Sequence, residues 1–445
     1  MDNIISALKQ NGFSLYVVGG YIRDSIIGRA THDIDLATSA HPDELMEIFP
    51  KANDVGAKFG TIVVDNIQIT TFRSDRVYSD SRHPDDVSYS DNIYDDLKRR
   101  DFTINSMALE IGDDFGNYKT IEEYVKNNLD KVIDLYGGVD DIQKKLVKAT
   151  GNPKERMLED YLRSMRAVRF ASILEFSIDS DTFDAIKYFA KDILKISVER
   201  IRDELIKILN DSPIPSYGIE LLRESGILEV IMPELLEGIH IEQNKFHTET
   251  VYMHLIHSCD KAQKDVRLVS LLHDIGKPRT KEGEHFYSHE IVGSDMAKDI
   301  LKRLKFPKKD ILKIILLIKM HMFNYSEDWK DSSVRRFLSK IPSEDFLNEL
   351  FLLREADIKS NPLNTTYDNL LSFKKRIEEV KRKSNVLTRK DLAINGDDLK
   401  QLGYSGKEIG EELETLLSKV LEDPELNTRE ELIKLVCSKS KVRQV

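Results

Sequence analysis

The stretch Val17-Val18-Gly19-Gly20-Tyr21-Ile22-Arg23-Asp24, running on to Asp33-Ile34-Asp35-Leu36, carries residue types suited to phosphate chemistry at close spacing. Glycine lets the backbone approach a bulky anion because it has no Cβ. A helix start beyond Gly20 offers unpaired N–H groups and a positive dipole end, and Arg23 adds a charged donor. Asp33 and Asp35 stand at i and i+2, so on a strand they point to the same face. Two adjacent carboxylates are costly without a cation between them, and hard oxygen ligands suit Mg²⁺. Alone, a Gly-Gly pair is commonly a turn and an Asp-x-Asp commonly a solvated strand end. Together, at strand–helix–strand spacing, they point to a metal–triphosphate site.

Two further groups extend this chemistry. Arg99-Arg100-Asp101-Phe102-Thr103-Ile104-Asn105 packs guanidinium and amide groups among apolar residues. Guanidinium forks match phosphate geometry, although solvated arginines at an amphipathic edge are the plainer alternative. In Glu159-Asp160-Tyr161-Leu162-Arg163-Ser164-Met165-Arg166-Ala167-Val168-Arg169-Phe170, three-residue spacing predicts a helical polar ladder of Asp160, Arg163, Arg166 and Arg169. Leu162, Met165 and Val168 are its apolar complement. An ordinary salt bridge on an exposed helix has the same pattern. A carboxylate only accepts hydrogen bonds and an arginine only donates them. Cytosine and adenine present an amino donor beside a ring-nitrogen acceptor, and uracil and guanine present the reverse. An Asp160–Arg163 pair would therefore accept C and A and reject U and G, because a mismatch leaves buried polar groups unpaired.

A second constellation lies further on. His247, His254, His257, His273, His285, His289 and His321 fall between about 245 and 360, out of 11 histidines in the chain. The doublet His273-Asp274 ends an apolar run and precedes Ile275-Gly276-Lys277-Pro278. Such a pair, with histidines on neighbouring helices, suits a divalent metal.

Positioning these groups requires a mixed N-terminal region. Strands are expected at Leu15–Gly19, Asp33–Ala37, Thr61–Asp65 and Ile67–Arg73, with Asp65-Asn66 as a tight hairpin turn. Pro42 to Phe49 reads as a short helix with proline in its first turn. Between Arg73 and Asp96 lies a long polar stretch, of a length that points either to function or to a mobile segment. From about 140 onward the pattern is helical almost throughout. At 445 residues the chain should form more than one domain, and 40% hydrophobic content supplies real cores. We expect no signal peptide and no membrane span. Cys259 and Cys437 stand far apart without metal spacing, so a reducing cytoplasm is the expected setting. The net charge of −11 argues against non-specific coating of nucleic acid and confines RNA contact to local basic surface.

The motifs GGYIRD (19–24), DIDLAT (33–38), RRDFTIN (99–105), DLYGG (134–138), EDYLRSMRAVRF (159–170) and SVERIRDE (197–204) resemble those of the class II tRNA nucleotidyltransferases. These are the CCA-adding enzymes, with bacterial poly(A) polymerases as close relatives. The resemblance covers about the first 240 residues in the family's order. It implies an α+β chain: a polymerase β-like nucleotidyltransferase palm domain (1–139), a helical neck and body for nucleotide selection and RNA binding (140–245), an HD domain (246–361) and a helical tail contacting tRNA (362–445). It also implies that Gly20 and Arg23 hold the triphosphate, that Asp33 and Asp35 bind two Mg²⁺, and that Arg100, Asp160, Arg163, Arg166 and Arg169 recognise the nucleotide. Asp75 and Asp101 are candidates for a further carboxylate at the metals. The stretch after Arg73, with Arg73, Arg76, Tyr78 and Arg82 at the family's spacing, resembles a loop that C-only members tend to lack.

The histidine set resembles the HD phosphohydrolase domain. Its metal ligands map to His254, His273, Asp274 and Asp357, with His289 and His321 at positions used for a second ion. A divalent metal such as Mn, Ni or Fe is implied, and with it phosphatase or phosphodiesterase activity, including on 2′,3′-cyclic phosphates. The expected function is thus untemplated CCA addition to the tRNA 3′ end from CTP and ATP, with pyrophosphate release, in the cytoplasm. The rivals are an A-only enzyme (poly(A) polymerase or A-adding) and an HD phosphohydrolase whose N-terminal domain only binds RNA. Nothing in the sequence fixes the oligomeric state.

Overall fold

A computed structural model describes residues 1–30, 34–53, 60–75, 87–243, 249–361, 363, 367–383 and 387–440. The chain divides into two compact units, Met1–Leu236 with Ile300–Phe306, and Glu237–Asp299 with Pro307–Val445.

The first unit is built on strands β1 (Leu15–Val18), β2 (Asp35–Thr38), β3 (Thr61–Val64), β4 (Ile67–Thr71), β5 (Arg73–Asp75), β6 (Val87–Tyr89), β7 (Met107–Glu110) and β8 (Ile133–Asp134). Six of them form one sheet in the order β3-β4-β2-β1-β7-β8. Central β1 is LYVV, with Leu15, Val17 and Val18 buried. It pairs antiparallel with β2 (Val17 opposite Leu36) and with β7 (Val18 opposite Ala108). Within this sheet, among the described residues, only β2 and β4 run parallel; a separate short pair, Leu146–Val147 with Ser177–Ile178, is also parallel. The β3–β4 hairpin turns at Asp65 (φ 48) and Asn66 (φ 66), the left-handed pair that a two-residue turn needs. The helix expected from Pro42 spans Pro42–Ile48.

The expected loop after Arg73 begins and ends in structure: β5 and β6 pair antiparallel, Arg73 opposite Tyr89 and Asp75 opposite Val87. Arg76, Tyr78 and Arg82 lie outside the described residues. Beyond the sheet the first unit is helical, with Leu162–Leu174 beside Val198–Asp211 and Pro215–Glu224. Leu162, Met165 and Val168 are buried, as an amphipathic helix requires.

The expected polar ladder needs one correction. The helix is not continuous through Asp160. One helix ends at Glu159, Asp160 is extended (φ −151, ψ 104), and the next runs Leu162–Leu174. The cause is local: Asp160 Oδ1 accepts the Leu162 N–H at 3.0 Å, the backbone-capping habit that keeps Asp out of helix interiors.

The second unit is almost wholly helical, apart from a small hairpin pairing Lys281–Glu282 with His285–Phe286. Helices Val251–Lys261, Arg267–Leu272, Lys308–Met320 and Glu344–Ser360 carry or adjoin most of the buried histidines and aspartates. Towards the C-terminus Leu399, Leu416, Val420, Leu432 and Val436 form a separate apolar cluster. Among the described residues no helix is long and apolar enough to cross a membrane.

Candidate functional site

At the end of β1 the chain turns through Gly19 (φ +70) into the helix Gly20–Ile27. A side chain at Gly19 would be strained by the positive φ and would push Arg100 Nη1, which lies 2.7 Å from the Cβ position. This turn opens a cavity of about 350 Å³ lined by Gly19, Gly20, Arg23, Asp35, Arg100, Asp101, Arg166, Arg169 and Phe170, among others. Asp35 starts β2 alongside, so a hard oxygen donor shares the cavity with the glycine turn. Asp33 lies outside the described residues.

Each arginine at this cavity is anchored by a carboxylate. Arg23 donates Nε–H and Nη2–H to Asp24 (2.8 and 2.9 Å) and Nη1–H to Asn105 Oδ1 (2.6 Å). Arg100 donates to Asp96 Oδ2 from Nε (3.1 Å) and Nη2 (2.9 Å). Arg166 donates twice to Asp101 Oδ2 (2.8 and 2.7 Å), and Arg169 to Glu204 (2.6 Å). The guanidiniums of Arg23, Arg166 and Arg169 stand 5.1, 5.4 and 4.2 Å from the Phe170 ring centre, within cation–π range.

A guanidinium has five N–H donors, so anchoring orients the group and still leaves donors for an anion. Burial would raise the Asp101 carboxyl, but Arg166 and Arg163 hold it down at about 2. Asp96 is fully buried, yet Arg99 and Arg100 keep it below the usual carboxylate range. The carboxylates stay ionised and the arginines stay held. Asp101 is therefore tied to Arg166, Asn105 and the Phe102 N–H. Asp75 sits on β5.

Asp160 and Arg163 line an adjoining cavity of about 320 Å³ with Asp35, Arg99, Arg100 and Arg166. They are not bonded to each other through their side chains. Arg200 holds Asp160 (Nη2–Oδ2 2.7 Å). Arg163 is fixed by Glu159 and by the carbonyls of Arg156 (3.0 Å) and Arg99 (3.1 Å). The sequence pattern gives no individual role to Asp96, Glu159, Arg200 or Glu204, and places Asn105 only within the candidate phosphate-contact set. Arg200 and Glu204 did stand in a recognised motif, at a spacing of four that places them on one helix face.

In the second unit His254, His273, Asp274, His289 and His321 are buried together, with Asp357 beside them. The Nε2 atoms of all four histidines face Asp274. His254 and His273 lie 3.5 and 3.3 Å from Oδ2, and His289 and His321 lie 3.2 and 3.4 Å from Oδ1. Asp357 Oδ1 is 3.2 Å from His254 Nε2 and 3.7 Å from His273 Nε2.

The outer nitrogens are spoken for. Nδ1 of His273, His289 and His321 donates to the carbonyl three residues earlier, of Ser270 (2.7 Å), Phe286 (2.7 Å) and Ile318 (2.6 Å). His254 Nδ1 meets Ser360 Oγ at 3.1 Å. These contacts set the tautomer that turns Nε2 inward, the outer support typical of metal-binding imidazoles. Asp274 Oδ1, His289 Nε2 and His321 Nε2 are buried without a hydrogen bond despite their proximity, which a cation between them would resolve. Burial would lower His273, but Asp274 and Asp357 hold it up at about 10. Burial likewise opposes ionisation of Asp274, yet Lys277 (Nζ–Oδ2 2.5 Å) and His273 keep it well below the carboxylate range.

His257 instead pairs with Glu249 (3.0 Å), and His247 lies outside the described residues.

Comparison with known proteins agrees in several independent ways. Residues 15–148 match the Poly A polymerase head domain, 175–238 the probable RNA and SrmB-binding site of polymerase A, and 287–436 the putative tRNA nucleotidyltransferase domain 2. The chain is 31% identical over 442 residues to the CCA-adding enzyme of Ligilactobacillus salivarius, covering 97% of this chain and 94% of that one. The CCA-adding enzyme of Geobacillus sp. (strain WCH70) is 30% identical over 437 residues, again at 97% and 94% coverage. The crystal structure of the Bacillus stearothermophilus CCA-adding enzyme in complex with CTP superposes with a TM-score of 0.71 at 26% identity, over 99% of this chain and 97% of that one.

Proposed function

The chain belongs to the CCA-adding enzymes, the untemplated tRNA nucleotidyltransferases, and from that membership we propose how its residues divide the work. CCA addition is favoured over the A-only and phosphohydrolase-only readings. The observation that carries the proposal is the cavity where the Gly19-Gly20 turn, Asp35 and the anchored arginines meet.

Gly20 and the helix start behind it take the triphosphate, whose charge Arg23, Arg100, Arg166 and Arg169 neutralise. Asp35, with Asp33 two residues before it, is the carboxylate set for Mg²⁺. When bound, such ions activate a ribose hydroxyl and neutralise charge developing on the leaving pyrophosphate. The protein's own contribution is orientation: fixed guanidiniums hold the phosphates, and fixed base contacts hold the nucleoside. Asp160 accepts and Arg163 donates on the edge where C and A differ from U and G. The acceptor is the tRNA 3′ end. The solved relative holds CTP, and ATP serves the last addition. The four-part division at 139, 245 and 361 belongs to the same reading.

The test is incorporation of CTP and then ATP by the purified protein, with Mg²⁺, into tRNA lacking its CCA end. Failure to incorporate either nucleotide refutes the reading. Asp35→Ala should abolish incorporation, and His273→Ala should spare it.

A second, separate centre is favoured by the three buried atoms left without hydrogen bonds around Asp274. His254, His273, Asp274 and Asp357 would hold one divalent ion of the Mn, Ni or Fe kind, and His289 and His321 would hold a second through Asp274. A metal there would supply an activated water for hydrolysing a phosphate ester.

A further inference from the structure

We infer that the sheet face beside Asp35 seats the terminal ribose of the acceptor RNA, with the Gln68 amide and the Thr61–Thr70 hydroxyl pair bonding its 2′-hydroxyl. The inference rests on the nucleotide site proposed above and adds what holds the other reactant. Side chains alternate along a strand, so β2, β3 and β4 each turn one row to the core and one row to the cavity. Leu36, Ile62 and Ile69 go to the core and are buried. Asp35, Thr61, Gln68 and Thr70 go the other way, and all four line the cavity of about 320 Å³. Register sets them side by side. Gln68 is opposite Asp35 across the parallel β2–β4 pair, and Thr70 is opposite Thr61 across the β3–β4 hairpin. Neighbouring strands lie about 4.8 Å apart, so the Gln68 amide leaves the sheet next to the carboxylate.

The direction of the reaction gives this face its reactant. Strand β2 has β1 on one flank and β4 on the other. The Gly19-Gly20 turn and Arg23, to which the triphosphate is assigned, follow the end of β1. Attacking and leaving oxygens stand in line across the transferred phosphorus. With pyrophosphate departing on the β1 flank, the attacking 3′-hydroxyl enters from the β4 flank. The Asp160 and Arg163 wall of the same cavity is given to the incoming base, which leaves the sheet wall for the acceptor end.

That wall has the chemistry of a ribose reader. A 2′-hydroxyl both donates and accepts, and it is what lets a protein tell RNA from DNA at such a site. The Gln68 amide carries donors and an acceptor, and each threonine hydroxyl has both functions. Thr61 Oγ1 and Thr70 Oγ1 lie 3.0 Å apart, so one donates to the other and the second O–H is left for a third group. Gln68 is exposed, and among the described residues its amide is engaged by no other side chain. All three side chains are uncharged, which suits a sugar rather than a phosphate.

The test uses the full-length protein with Mg²⁺, ATP and tRNA ending in CC, made with either a ribose or a 2′-deoxyribose at its last cytidine. Wild type should prefer the ribose end by about 10-fold or more in kcat/KM. Loss of the 2′-hydroxyl also alters the neighbouring 3′-hydroxyl in any enzyme, so the reading is the change in that ratio. Gln68→Leu with Thr70→Val should bring it to within about 3-fold, with a raised KM for tRNA. ATP affinity, measured calorimetrically without RNA, should stay that of wild type. Thr70→Ser in place of Thr70→Val should recover part of the ratio. Thermal unfolding checks that the variants fold, and Gln68→Leu alone, at an exposed position, should lower the ratio by about 3-fold if the double variant does not. A wild-type ratio near one, or a ratio that survives these changes in folded protein, overturns the inference. No incorporation by wild type into the ribose-ended tRNA overturns the nucleotide-site reading itself, and the inference with it.

Discussion

Arg200→Met is the sharpest test of how this enzyme chooses its nucleotide. Arg200 holds Asp160 by an Nη2–Oδ2 bond of 2.7 Å and a weaker Nη1–Oδ1 contact of 3.4 Å. Their side chains are 24% and 14% exposed, so the pair is neither a solvated surface bridge nor fully buried. Hydrogen bonds to charged groups contribute about 1.5–3 kcal/mol. Asp160 keeps its bond from the Leu162 N–H, so the lower part of that range applies, about 1.5–2 kcal/mol. A carboxylate free to swing accepts the wrong base edge more readily. The expected result is a fall of roughly 10- to 30-fold in the preference for CTP over UTP and for ATP over GTP. The assay is single-nucleotide incorporation with all four nucleotides, read as ratios of kcat/KM, with thermal unfolding as the control for folding. A purely structural Arg200 would lower all four alike. Unchanged ratios in a folded variant would refute the assignment of Asp160 to base reading.

Asp101→Asn should cost on the order of 2 kcal/mol at neutral pH, since the carboxyl is held at about 2 against an ordinary 3.8. Because the folded value is depressed, that stability is present above about pH 4 and is lost as pH falls through about 2. The gap between wild type and variant in thermal unfolding should narrow from pH 7 to pH 3. At the histidine centre His273 is held at about 10, so a metal must displace its proton. Metal uptake should release protons and strengthen as pH rises, measured by calorimetry in buffers of different ionisation enthalpy. Gly276→Ala should lose metal while sparing CCA addition. A Cβ there would meet the His289 carbonyl at 2.3 Å and the Gly293 nitrogen at 2.5 Å, pushing apart the segments that bear Asp274 and His289.

What the sequence made legible was local. The strand–glycine–helix–strand run, the Asp65-Asn66 hairpin and the buried face of Leu162, Met165 and Val168 each follow from neighbours within a few residues. The site arginines were legible as residues, but their anchors mostly were not. Glu204 lies 35 positions from Arg169 and Asp101 lies 65 from Arg166, and such pairings are fixed by tertiary packing that periodicity cannot report. Asp96 and Arg100 are four apart on a helix end and could have been paired from spacing alone. The break at Asp160 had a signal too: aspartate prefers to cap a helix rather than sit inside one.

The two centres use opposite electrostatic designs in a chain of net charge −11. At the nucleotide site each guanidinium has a carboxylate behind it and an open cavity in front, an arrangement for receiving a polyanion. At the second centre the order is reversed. Asp274 and Asp357 are surrounded by imidazoles, each supported on its outer nitrogen, and the buried acceptors converge on a point that a cation would fill. Three of the four imidazoles use one local device, a bond to the carbonyl three residues earlier, although they sit on separate segments. Repeated at three places, with the inward nitrogens gathered on Asp274 and Asp357, it is the support that the proposed metal centre would use.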